Sequence, residues 1–224
     1  MIHLLAGGPG SDHGHMIGLL REALTASGLV APRMAYLGAA SADDAGFFRR
    51  ISSLLHAAGA RDVVLARTCG RKKPDGDAAA TVLSQAQAIF VSGGDVEAGM
   101  QVLAAARVLP LLRERFEAGI PFIGLSAGSI MLGSKWIAWD DSEDDATART
   151  FDCLGFAPLI CDTHAEDDEW NELHAVLRHS DVGTLGYGIT SPAMLRVLPD
   201  GTLETLGGKV VCLKRTADGV TLIS

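Results

Sequence analysis

With 224 residues, 48% of them apolar, and a mean hydropathy of +0.23, the chain can bury a substantial core and is too apolar to be disordered. A net charge of −8 and a pI near 5.3 exclude a binder of nucleic-acid phosphates. The charge is uneven: twelve acidic residues against Arg149 make the segment Asp140–Glu172 −11 and leave the rest near +3, a pattern whose plainest meaning is a solvated acidic face.

Short apolar runs alternate with helical periodicity. Ile2–Ala6 reads as a buried strand that ends in Gly7-Gly8-Pro9-Gly10, and Ser11–Ser27 as a helix with Ile17, Leu20 and Leu24 on one face. Met34–Leu37 is a second strand. Asp43–Ala58 is a helix with Phe47, Ile51, Leu54 and Leu55 in register. Strands at Val63–Ala66 and Ala88–Ser92 flank a short helix at Asp77–Gln85. Val96–Phe116 is helical, broken near Pro110, and Phe122–Leu125 is a fifth strand. Beyond Gly133 the pattern changes. Leu159–Cys161 reads as a strand and Asp168–Arg178 as a helix. Four β-like runs follow at Leu185–Ile189, Met194–Leu198, Leu203–Leu206 and Val210–Lys214, separated by turn signals such as Pro199-Asp200-Gly201. The expected fold is α/β: a single domain over 1–224, with a mostly parallel, flavodoxin-like three-layer sheet, helices on both faces and a C-terminal antiparallel extension.

Cys69, Cys153, Cys161 and Cys212 lack CxxC spacing and read as reduced thiols rather than a zinc site or disulfide framework. The opening MIHLLAGG has no basic leader, and no run of 18 uncharged apolar residues occurs. A cytoplasmic protein is expected.

Residues 124–128 read Gly-Leu-Ser-Ala-Gly, a G-x-S-x-G pattern placed after a buried strand and before a helical run. The chemistry explains the pattern. A nucleophilic serine at a strained strand-to-helix bend tolerates only small neighbours, and the next N–H then points at a developing oxyanion. A glycine-rich packing turn would look similar, but the strand-to-helix context favours the nucleophile, Ser126. Its base must be a histidine. His164 directly follows an apolar strand, at the edge where open parallel sheets collect ligand sites and where Ser126 should also lie. The carboxylate partner is open between Asp140 and Asp141, with Asp162 close by as a local hydrogen-bond partner. Gly93-Gly94-Asp95, at another strand end, offers the Gly94 N–H as a second oxyanion donor beside that of Ala127. Asp95 equally suits a helix N-cap.

Ile89-Phe90-Val91-Ser92-Gly93-Gly94-Asp95, then Gly124-Leu125-Ser126-Ala127-Gly128-Ser129, then His164, resemble the S51 peptidases. That group, the aspartyl dipeptidase (peptidase E) and cyanophycinase enzymes, has a class I glutamine-amidotransferase-like fold. The resemblance runs from residue 1 to about 214. It implies Ser126 as nucleophile, His164 as base, Gly94 and Ala127 as the oxyanion hole, and Asp141, fifteen positions after the serine, as the acidic member. It also implies cleavage of short peptides or isopeptide-like β-aspartyl bonds, without cofactor or metal. Peptidase E carries arginines after the histidine that read an acidic side chain. Here the stretch is Glu166-Asp167-Asp168-Glu169-Trp170-Asn171-Glu172, so the expected specificity is altered, with Asp95, Asp140, Glu166 and Trp170 as substrate contacts and a cationic group, an α-amine, Lys or Arg, as the attracted feature.

A serine exopeptidase is therefore expected. Its partners would be a small peptide and at most a second copy of itself as a homodimer, with neither nucleic acid nor membrane. The competing class is a non-catalytic binding domain that kept the bend. A cation site built from His13, His15, His164 and the acidic run is a third reading, disfavoured by irregular ligand spacing. An α/β-hydrolase would separate serine from histidine by more than 38 residues, and a glutamine amidotransferase would carry cysteine at the bend.

Overall fold

The computed structural model describes residues 1–7, 12–69, 76–141 and 144–223; Gly8–Ser11, which close the first glycine loop, lie outside them. The first half contains β1 (Ile2–Leu5), α1 (His13–Ala26), β2 (Arg33–Leu37), α2 (Ala45–Ala58), β3 (Asp62–Leu65), α3 (Gly76–Ser84), β4 (Ala88–Val91), α4 (Val96–Ala105) and α5 (Leu109–Glu117). Then come β5 (Phe122–Leu125), α6 (Ala127–Leu132), β6 (Lys135–Trp139), β7 (Ala148–Asp152), β8 (Ile160–Thr163) and α7 (Asn171–Arg178). The chain finishes with β9 (Leu185–Ile189), β10 (Met194–Val197), β11 (Leu203–Leu206), β12 (Val210–Thr216) and β13 (Gly219–Leu222).

A seven-stranded sheet has the order β11-β10-β1-β5-β4-β2-β3, and its five strands from β1 to β3 are parallel. Because helices cover both faces, these strands are apolar on both sides. Met34, Tyr36, Phe90 and Ile123 pack with α1 and α2, whereas Ala35, Leu37, Ile89 and Phe122 pack with α3 to α6. Aspartates cap the helices: Asp12 accepts from Gly14 N and His15 N, Asp44 from Phe47 N, and Asp95 from Ala98 N. The expected break near Pro110 is the junction of α4 and α5, where Arg107 takes φ 58° and Pro110 enters the first turn of α5.

The C-terminal antiparallel extension is present, divided between two sheets. β10 and β11 lengthen the main sheet beside β1, while β9 and β12 build a second sheet, β13-β12-β9-β8. β8 therefore lies outside the main sheet, and Ser126 and His164 come from two sheets rather than one carboxyl edge. Alternation in a sequence specifies the faces of a strand but not its neighbours. The six-residue α6 joins the sheets by contacting both β5 and β8, with Met131 and Leu132 fully buried. Hydrogen bonds fasten this joint, among them Ser134 N–H to Leu159 O (2.8 Å), Phe156 N–H to Leu132 O (3.1 Å) and the Cys161 thiol to Ser129 O (3.6 Å). β6 and β7 form a separate hairpin. Among the described residues no helix is long and apolar enough to cross a membrane.

α1 contains one improvable position. Gly18 is exposed, and a Cβ added there would meet no atom within 4 Å. Gly18→Ala should stabilise the protein by about 0.5–1 kcal/mol, because the unfolded chain loses freedom while the helix gains a better former. An unchanged urea midpoint would contradict this.

Candidate active site

Ser126 is the hinge between β5 and α6. Its φ of 54° and ψ of −127° are strained for a residue with a Cβ, and its N–H is held by Leu5 O at 2.9 Å. The two glycines of the motif have separate steric causes. A Cβ on Gly124 would lie 2.6 Å from the Ser129 Cα, and one on Gly128 would lie 2.1 Å from Val91 O. The bend is thus wedged between its own helix and the end of β4.

His164 follows β8 with φ 45°, its backbone N–H bonded to Ile189 O at 3.0 Å. That bond to the neighbouring strand turns the ring toward Ser126, where Oγ and Nε2 are 2.7 Å apart. With the ring proton on Nδ1, the serine hydroxyl donates to Nε2. The glycine loop closes the third side: a Cβ on Gly93 would lie 3.1 Å from the Ser126 Cβ. Gly94, at φ 142°, passes so close to Ala40 that a Cβ would fall 2.0 Å from its carbonyl oxygen. Among the described residues, neither the Gly94 nor the Ala127 N–H has an acceptor, which leaves two backbone donors beside the serine.

The other sequence candidates scatter. Asp95 caps α4 and also lines the cleft. Asp140 pairs with Arg149, and the backbone of Asp141 exchanges hydrogen bonds with the Thr147 hydroxyl; neither aspartate lines the cleft. Glu166 accepts from Ser191 N–H at 2.6 Å, away from the cleft lining. Trp170 is buried against Gly188, in the core rather than at the site. His13, at the start of α1, lines a second pocket on the other side of Ser126 and His164. Among the described residues no group of three His, Cys, Asp or Glu side chains is arranged to hold a metal.

The acidic wall beside His164 is instead Asp95, Glu97, Asp162, Asp168 and Glu172. Asp162 is 4% exposed, with Oδ1 accepting from Thr163 N–H at 2.7 Å and Oδ2 without a hydrogen-bond partner among the described residues. Burial pushes its carboxyl up to about 7, and the charges of Glu172 and Asp168 add to the rise, while the N–H groups of Thr163 and Leu173 oppose it. Burial likewise raises Glu172, helped by Asp168 and Asp95.

A stability prediction follows from Asp162. Between pH 3.8, the unfolded value, and about 7, the folded protein holds a proton that the unfolded chain has lost, so rising pH costs stability across that window. Asp162→Asn removes the penalty while keeping an acceptor for Thr163 N–H. The variant should match wild type near pH 4 and exceed it at pH 8 by up to about 4 kcal/mol. Parallel unfolding profiles for the two proteins would refute the assignment.

Comparison with known proteins follows the same lines. No curated protein sequence matches the chain. The chain is similar in structure to a peptidase from an acI-B1 Actinobacterium, with a TM-score of 0.69 and 15% identity over 100% of this chain and 93% of that one. It is also similar to a putative peptidase E protein from Listeria monocytogenes EGD-e, with a TM-score of 0.60 and 17% identity over 96% of this chain and 98% of that one. At such identities the likeness concerns the fold. Sequence carries the identification further: the model of peptidase family S51 matches residues 2–204, so the chain belongs to that family and is a serine peptidase.

Proposed function

We propose that the protein is an exopeptidase of short peptides or β-aspartyl bonds, with Ser126 as nucleophile and His164 as general base. The observation that carries this is the 2.7 Å Ser126 Oγ–His164 Nε2 contact at a strained bend. Ser126 Oγ attacks the scissile carbonyl carbon as its proton passes to His164 Nε2. The carbonyl oxygen becomes an oxyanion, and the N–H groups of Gly94 and Ala127, which have no acceptor among the described residues, receive it. Collapse breaks the C–N bond, and the leaving amine takes the proton from His164. Water then adds to the acyl-enzyme by the same steps and frees the acid.

Asp141 keeps the sequence position implied by the family, but its absence from the cleft wall leaves the proposal resting on the serine–histidine pair. A fluorophosphonate probe tests it. Wild type should be labelled, with the added mass mapped to Ser126. Absence of labelling, where a control serine hydrolase reacts, would overturn the mechanism.

A further inference from the structure

The Ser126–His164 pair stands where two chambers of opposite character meet, and Gly94, Ser126 and His164 line both. The first, about 460 Å³, carries the five carboxylates of the acidic wall and, among the described residues, no Lys or Arg. The second, about 590 Å³, is walled by Met16, Phe47, Ile51 and Leu54. Its charged or titratable side chains are Arg50 and His13, and no described carboxylate lines it. Both volumes fall in the range of small-molecule sites, roughly 300–1,000 Å³.

On α2, Phe47, Ile51 and Leu54 form the apolar stripe expected of an amphipathic helix, and Arg50 lies at its exposed margin, three residues after Phe47 and four before Leu54, on the rim of the chamber. Among the described residues it has no ion-pair partner. Its guanidinium lies 4.9 Å from the centre of the Phe47 ring, which holds the cation at the chamber wall. A planar, unpaired guanidinium over an apolar chamber is suited to an anion attached to an apolar group.

We propose that this second chamber is the leaving-group subsite: it takes the apolar side chain of the residue on the amine side of the scissile bond, while Arg50 holds that residue's terminal carboxylate. The amino end of the substrate then lies against the acidic wall, where Asp95, Asp168 and Glu172 face its positive charge; Glu97 is already paired with Arg149. The assignment rests on the serine-peptidase mechanism proposed above. It names the substrate class as dipeptides with a cationic amino end, an apolar second residue and a free carboxylate.

The test measures kcat/KM on Lys-Leu, its C-terminal amide and Lys-Asp, with fluorophosphonate labelling run on the same preparations. Wild type should prefer Lys-Leu over both others by about tenfold or more, the scale of one charge-assisted contact. Arg50→Gln, at an exposed position, should bring the acid-to-amide ratio close to one, with the loss falling on the free acid. Labelled enzyme with a wild-type ratio in Arg50→Gln would overturn the subsite and leave the mechanism standing. Wild type that accepts acid and amide equally would do the same. Unlabelled wild type would bring down the mechanism and the subsite together.

Discussion

Ser126→Ala should lower kcat/KM on any dipeptide the enzyme hydrolyses by a factor on the order of 10⁴–10⁶, and fluorophosphonate labelling should vanish. Stability should barely move. The substitution removes one hydrogen bond, to a half-buried histidine, worth about 1 kcal/mol. It keeps a Cβ, so the backbone at φ 54°, ψ −127° remains strained in the variant. Ser126→Gly separates the two effects. It is equally inactive, but glycine accepts that backbone freely, and it should be more stable than Ser126→Ala by about 1 kcal/mol or more. An inactive glycine variant that is more stable than the alanine variant shows strain stored for chemistry. If Ser126→Gly were instead the less stable of the two and Ser126→Ala retained turnover, the bend would be a packing turn.

The main-sheet strands and their helices were legible because each buried strand is a short apolar run and each helix carries a period-3.6 stripe; Phe122–Leu125 and Leu203–Leu206 coincide with β5 and β11. The β6–β7 hairpin escaped notice for a physical reason. β7 reads Ala-Arg-Thr-Phe-Asp with little of it buried, so no face announces itself. The division of the C-terminal strands between two sheets escaped because pairing is a long-range choice. At the site, the Gly93-Gly94 loop and Gly128 were readable because close approaches of main chain exclude side chains there, whereas Ser126 and His164 were read from chemistry, since their positive φ values of 54° and 45° demand neither residue type. The acidic wall was not. Its members come from the start of α4, from β8 and from α7 with the loop before it, segments that only the folded chain brings together, and the same acidic segment sends Asp140 and Glu166 to unrelated partners. Phe47 and Leu54 were readable as a helix face, but that face borders the second chamber as well as the core, a distinction that periodicity lacks.

Gly128→Ala should be among the most damaging single substitutions in the molecule. The added methyl would sit 2.1 Å from Val91 O and 2.8 Å from Ser92 O, both main-chain atoms at the end of β4. No rotamer relieves a clash between a Cβ and a backbone carbonyl, so α6 must lift from β4 or β4 must bend. Neither yields easily. Residues 127–132 of α6 are all buried, and Val91 lies in the sheet core at 1% exposure. A cost of at least about 3–4 kcal/mol is expected, which for a chain of this length lowers Tm by roughly 10 °C. Function should suffer separately. Lifting α6 moves the Ala127 N–H and swings Ser126 away from a histidine anchored on the other sheet through Ile189. Labelling should therefore slow by tenfold or more even at temperatures where Gly128→Ala is folded, because a displacement of about 1 Å at a reacting group costs on the order of 100-fold. Gly18→Ala is the matched control, the same change of chemistry at a site with open space. Equal stability and equal labelling rates in the two variants would mean that α6 does not need its close approach to β4, and the steric account of the motif would fail.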